Sequence, residues 1–128
     1  MTHDIDVLLV EDDDDVRSSF AEILNEAGYS TAERPDTSTA LALLRSSDIG
    51  MVILDVYLPG QDGLWLLDQL DDPPPVVLIT AHNYDPQVMA RQAKVFLYLQ
   101  KPVQPPELLL AVARSLAAIG SWVPDGSD

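Results

Sequence analysis

Met51-Val52-Ile53-Leu54-Asp55 sets four apolar residues in succession and stops them on an acid. Apolar on both alternating faces, such a run reads as a strand covered on both sides, which belongs to a parallel sheet rather than to a half-solvated hairpin. The same signature recurs upstream as Val7-Leu8-Leu9-Val10 before the acidic run Glu11 to Asp15, and downstream as Val76-Val77-Leu78-Ile79 before Thr80. Working outward, Val16, Phe20, Ile23 and Ala27 recur at helical spacing up to a stop at Gly28. Ser30 to Glu33 reads as a weaker strand, and Thr37 to Ser46 as a second helix with Ala40, Leu41 and Leu44 on one side. Pro59-Gly60-Gln61-Asp62-Gly63 is a loop, Leu64 to Leu70 a third helix, and Pro73-Pro74-Pro75 a stiff connector. Asp85-Pro86 opens a fourth helix, whose apolar face of Val88, Met89 and Ala93 is the poorest of the set. Val95 to Leu99 is the last strand, and Pro105-Pro106 opens a fifth helix in which Leu109, Val112, Ala113 and Leu116 share a face. Five strands alternating with five helices predict an α/β fold: a parallel sheet with helices on both faces.

The length of 128 residues fits one core, so residues 1–119 are expected to form one domain and residues 120–128 a tail or the start of a linker. With no Cys, thiol catalysis and thiolate metal sites are excluded. The sequence offers neither the apolar run of ~18 residues that a membrane span needs nor the basic start of a signal peptide, so the expected location is the cytoplasm. A net charge of −14 disfavours direct binding to nucleic acid or to an anionic membrane. The charge is unevenly spread: residues 1–90 hold three basic and eighteen acidic side chains, whereas residues 91–128 hold four basic and three acidic. The C-terminal third is therefore electrostatically distinct.

In an open parallel α/β sheet, ligands bind beyond the carboxyl ends of the strands. The residues placed there are Glu11 and Asp12, then Asp55, then Thr80, then Lys101. Three carboxylates converging without a cation would repel one another and raise each other's pKa. A hard divalent cation relieves this, and all-oxygen ligands suit Mg²⁺ better than a transition metal. Lys101 supplies an ammonium able to pair with Asp55, and Thr80 a hydroxyl donor. Together they surround Asp55 with groups that stabilise added negative oxygens, as phosphoryl transfer to a carboxylate requires.

Taken together, Val7 to Asp13, Ile53-Leu54-Asp55-Val56-Tyr57-Leu58-Pro59-Gly60-Gln61-Asp62-Gly63, Leu78-Ile79-Thr80-Ala81-His82 and Lys101-Pro102 resemble the receiver domains of two-component response regulators. The likeness runs from about Asp4 to Ala118, and the Thr80-Ala81-His82 segment is similar to the nitrogen-regulator-like group. The resemblance implies a flavodoxin-like (βα)5 receiver with strand order 2-1-3-4-5. It implies Asp55 as phosphoacceptor, with Asp12, Asp55, Glu11 and the backbone carbonyl of Tyr57 as the Mg²⁺ site. It also implies Thr80 and Lys101 as ligands of the acyl phosphate, Thr80 and Tyr98 as switch residues, and a cis Lys101–Pro102 bond. The implied partners are a sensor histidine kinase or phosphotransfer protein, and a second copy of the chain through the fourth helix, last strand and fifth helix. The domain would catalyse only its own phosphorylation and dephosphorylation.

Receivers commonly carry a Gly-Ala pair before the last strand, whereas Gln92-Ala93-Lys94-Val95-Phe96 has no Gly, so the end of the fourth helix must take another geometry. For single residues the plainer readings are a solvated helix start for Glu11 to Asp15, a half-buried aromatic for Tyr98, an exposed loop residue for His82, and packing on their own chain for Trp65 and Trp122. Two other functions fit parts of the pattern. A Mg²⁺-dependent phosphohydrolase with an aspartyl-phosphate intermediate typically wants a second acid two residues after the nucleophile, where this chain has Tyr57. A pseudo-receiver that docks a partner without being phosphorylated would not need the intact set of acids, Thr80 and Lys101.

Overall fold

The computed structural model describes residues 3–57, 62–81 and 85–121, with side chains as far as residue 118. The expected loop residues 58–61, His82 and Trp122 lie outside that set. The order of elements is β1 (Ile5–Val10), α1 (Asp14–Glu26), β2 (Thr31–Arg34), α2 (Thr37–Ser46), β3 (Ile49–Asp55), α3 (Gly63–Asp68), β4 (Val76–Thr80), α4 (Pro86–Met89), a 3₁₀ turn (Gln92–Lys94), β5 (Leu97–Gln100) and α5 (Pro105–Ser121). All strand pairs are parallel and the sheet runs β2-β1-β3-β4-β5.

The apolar strands divide their side chains between two cores, as period-two alternation requires. Leu8, Val10, Val52, Leu54 and Leu78 face α2, α3 and α4, where they meet Ala40, Leu41, Leu66, Leu67 and Val88. Val7, Leu9, Met51, Ile53, Val77 and Ile79 face the other way, against Ala21 and Leu24 of α1 and Leu108, Ala111 and Val112 of α5. Every residue of β3 is buried, which is why its sequence shows no polar alternation.

Much of the acidic excess is used to start helices. Asp13, Asp36, Asp62 and Asp85 cap α1, α2, α3 and α4, each carboxylate accepting a backbone N–H of the first turn. At the start of α5, Glu107 reaches back to accept the N–H of Gln104 at 3.1 Å. The stop expected at Gly28 is a left-handed cap with φ +98°. Its N–H bonds the carbonyl of Asn25, and that of Tyr29 bonds Leu24, both at 3.0 Å, which is the Schellman arrangement.

Several expected faces are displaced. In α1 the fully buried residues are Ala21 and Leu24, while Phe20 and Ile23 are half-buried and Ala27, at the cap, is exposed. The buried stripe of α5 starts at Leu108 and runs through Ala111, Val112 and Ser115; Ala113 is exposed. Helix α4 has only four residues and buries only Val88; Ala93, expected on its apolar face, is exposed in the 3₁₀ turn. The chain leaves α4 by that turn, with no left-handed residue other than Gly28 among those described. It therefore enters β5 at Leu97 rather than Val95. Helix α5 carries through Gly120 to Ser121, past the expected start of the tail. Trp65 is half-buried against the α2–α3–α4 core.

Candidate functional site

The carboxyl ends of β1, β3 and β5 open on a cleft of about 870 Å³ lined by Glu11, Asp12, Asp55, Tyr57, Phe20 and Lys101 among others. Parallel pairing brings these strand ends together: Val10 lies opposite Leu54, and Asp55 opposite Ile79. Asp55 closes a fully buried strand and is itself 1% exposed. Glu11 is buried and Asp12 exposed, and one carboxylate oxygen from each of Glu11, Asp12 and Asp55 lies within 4.8 Å of the others.

Both oxygens of Asp55 are engaged. Lys101 Nζ donates to Oδ2 at 2.7 Å and the backbone N–H of Tyr57 donates to Oδ1 at 3.0 Å. Lys101 is placed by the sheet, since its backbone N–H donates to the Thr80 carbonyl at 2.8 Å, and its peptide bond to Pro102 is cis. Burial works against the charge on Lys101, but Asp55, then Glu11 and Asp12, outweigh it and hold the ammonium pKa above its ordinary value. At Glu11 it is the neutral form that the surroundings favour. Burial first, then repulsion from Asp55 and hydrogen bonding with Asp12 and Asp55, push its pKa up to about 8. Three acids facing one ammonium leave an unmet demand for positive charge. The donors are all oxygen and clustered, which fits a hard divalent ion such as Mg²⁺.

Thr80 and Tyr98 line an adjacent depression of about 400 Å³ with Asp85, Val88, Met89 and others. Thr80 is buried at the end of β4, while Tyr98 is 41% exposed on β5. The strand ends thus bring Glu11, Asp12, Asp55, Tyr57 and Lys101 into one cleft, with Thr80 and Tyr98 in the next.

Two features were not legible in the sequence. Arg17, largely buried, donates from Nη1 to the Glu11 carbonyl and from Nη2 to Asp14 Oδ1, both at 2.6 Å, and its Nε lies 3.4 Å from Glu33. It braces the back of the acidic loop; its place five residues after Asp12 was the available signal, but an exposed helical arginine has the same pattern. The second is the Tyr57 hydroxyl, which donates to Asp85 Oδ2 at 2.7 Å. Three of the four basic side chains of the C-terminal third are engaged on the chain itself, Lys101 with Asp55. Arg91 makes a two-pronged bridge to Asp68 at 2.8 and 2.9 Å, and Lys94 donates to the Leu67 carbonyl at 2.9 Å, so both are tied to the end of α3.

The response regulator receiver domain matches residues 7–113. The chain belongs to that family. It is 31% identical over 117 residues to a putative response regulator NtrX-like of Rickettsia bellii, covering 87% of this chain and 24% of that protein. It is 37% identical over 114 residues to the alginate biosynthesis transcriptional regulatory protein AlgB of Pseudomonas aeruginosa, covering 86% and 25%. This receiver therefore spans about a quarter of the length of these curated relatives. A CheY-like receiver domain protein of Methanospirillum hungatei superposes with TM-score 0.83 at 27% identity, covering 91% of this chain and 98% of the other. The receiver domain of NtrX from Brucella abortus does so with TM-score 0.77 at 32% identity, covering 88% and 98%. Receivers of two-component systems are signalling modules rather than metabolic enzymes. Among the described residues, no helix is long and apolar enough to cross a membrane.

Proposed function

We propose that this receiver is a phosphorylation-controlled switch that takes a phosphoryl group from the phosphohistidine of a sensor kinase or phosphotransfer protein onto Asp55. The observation that carries the reading is Asp55 itself: a buried carboxylate with Lys101 on one oxygen, a backbone N–H on the other, and two further acids within 4.8 Å. In the transfer, a carboxylate oxygen of Asp55 attacks phosphorus, the P–N bond to the donor imidazole breaks, and that nitrogen leaves with the bond's electron pair. The product is an acyl phosphate. Glu11, Asp12, Asp55 and the Tyr57 carbonyl are the oxygens that would hold Mg²⁺, which when bound offsets charge on the transferring phosphoryl oxygens. Lys101 holds Asp55 in place before transfer and neutralises phosphoryl oxygen after it. Thr80, at the neighbouring strand end, donates its hydroxyl to the phosphoryl group, and Tyr98 responds in the depression they share.

The output surface is α4, β5 and α5, where Met89, Tyr98 and Leu110 are exposed, and a second copy of the chain is the partner that surface suits. Incubation with acetyl phosphate and Mg²⁺ is expected to add one phosphoryl group, seen by intact mass, and Asp55→Asn to abolish the addition. Equal labelling of the variant would overturn the assignment, and absence of labelling in the wild type would favour a docking module that is not phosphorylated.

A further inference from the structure

Tyr57 is bonded at both ends. Its backbone N–H donates to Asp55 Oδ1 at 3.0 Å, and its hydroxyl donates to Asp85 Oδ2 at 2.7 Å, 28 residues away. The other oxygen of Asp85 accepts the backbone N–H of Gln87 at 2.9 Å and so caps α4. One side chain thereby joins the buried acid at the end of β3 to the first turn of α4, across the gap between the two depressions.

Burial does not explain this placement, because Tyr57 is 51% exposed. What fixes the direction of the ring is the bond at its tip. Helix α4 is the element most dependent on such a tie. It has four residues and one buried side chain, Val88, so little core holds it and its position is set at its ends. Beyond its last turn, Arg91 and Lys94 anchor the chain to α3. At its first turn, Asp85 is the anchor, and Asp85 is held by Tyr57.

We propose that Tyr57 is a positioning residue that carries the state of Asp55 to α4 through Asp85, by a route separate from Thr80 and Tyr98. The proposal rests on Asp55 being the phosphoacceptor. A group added to Asp55 changes the charge and the geometry offered to the Tyr57 N–H, so the backbone at Tyr57 must readjust. A tyrosine ring is rigid beyond two torsions, so it passes such a movement to its hydroxyl instead of absorbing it. A hydrogen bond to a carboxylate is short and directional, so Asp85 follows or the bond breaks. In either case the cap of α4 registers what happens at Asp55.

The test uses beryllofluoride with Mg²⁺ as the probe of Asp55, and backbone amide shifts and hydrogen exchange as readouts. Tyr57→Phe keeps the ring and the backbone but removes the bond. Asp85→Ser keeps a capping oxygen too short to reach the phenol. In the wild type, beryllofluoride is expected to shift the amides of Ile79 and Lys101 and also those of Gln87 to Met89. In both variants the response at Gln87 to Met89 should fall at least to half, while that at Ile79 and Lys101 is retained. Without beryllofluoride, the amides of Gln87 and Met89, which bond the Asp85 carboxylate and carbonyl, should exchange roughly fivefold faster in Tyr57→Phe, the scale of one exposed hydrogen bond. A full α4 response in Tyr57→Phe, or an equal loss at all three places, would overturn the route through Tyr57. A wild type that does not respond at all would instead remove the phosphoacceptor reading on which the proposal stands.

Discussion

Glu11 is the residue on which the charge balance of the site turns. It sits behind Asp12, buried where Asp12 is exposed, and its carboxyl is raised from 4.5 to about 8 by burial and by Asp55. Between those two values the folded chain holds a proton at Glu11 that the unfolded chain has released. The folded state then binds more protons, so stability falls as pH rises across this window. In a buffer containing chelator, urea unfolding of the wild type should therefore give decreasing stability from about pH 5 to about pH 8, and Glu11→Gln should flatten that slope. Stability that is level or rises over the same range in the wild type would contradict the assignment. Asp68 and Asp36 do not confuse the measurement. Both are held below the ordinary carboxylate value, Asp68 by Arg91 and Asp36 by the Thr39 N–H, so their contribution is lost only in more acid solution.

At the scale of elements, two glycines mark helix ends for different physical reasons. Gly28 has open space around it, but its φ of +98° ends α1 in a region that side chains disfavour. Gly63 has ordinary backbone, but a Cβ there would lie 2.5 Å from the carbonyl oxygen of Asp55 and 3.1 Å from Leu54 Cγ. Gly63→Ala should gain up to ~1 kcal/mol of helix propensity, yet a backbone clash costs at least ~1–3 kcal/mol, so the clash wins. The variant is expected to be less stable and to lose the phosphorylation rate at Asp55, because the atom it displaces belongs to that residue. Gly28→Ala should cost about 1 kcal/mol and leave the phosphorylation rate unchanged, since the end of α1 is remote from the cleft. Thermal unfolding combined with acetyl phosphate labelling separates the two; equal effects on labelling would refute the distinction. Helix α4 shows the opposite economy, because hydrogen bonds at its two ends supply what one buried side chain does not.

For the whole molecule, the 21 acidic side chains behind the net charge of −14 divide into sets with different work. Four aspartates cap helices, and three acids converge on the cleft. The convergent set destabilises the metal-free chain, and an ion that binds only the folded state stabilises it by mass action, by ~2.7 kcal/mol at a hundred times its Kd. Mg²⁺ should accordingly raise the melting temperature of the wild type. Asp12→Ala removes a ligand together with a repelling charge, so it should abolish the rise without lowering the melting temperature in chelator. A rise of the same size in Asp12→Ala would refute the role given to Asp12.

The sequence by itself determined the sheet, because three strands buried on both faces can be written only as unbroken apolar runs, and each ends on a polar residue where the sheet opens to solvent. That makes Glu11, Asp12, Asp55, Thr80 and Lys101 legible as neighbours from the sequence alone. Helix faces were less legible: the buried stripe of α5 starts at Leu108 instead of Leu109, and apolar residues on both sides of the stripe leave its centre undetermined until the helix is docked. The last strand begins two residues later than its apolar run, since an edge strand is half-solvated and Val95 is apolar without being paired. Only the tertiary structure decided which charges are free. Arg91 and Lys94 form a basic surface when counted along the chain, and become struts to α3 once Asp68 and the Leu67 carbonyl lie beside them. Tyr57 and Asp85 stand 28 residues apart, and no local pattern pairs a phenol with a helix cap. A hydrogen bond depends on where two atoms end up, and that is settled by the packing of everything between them.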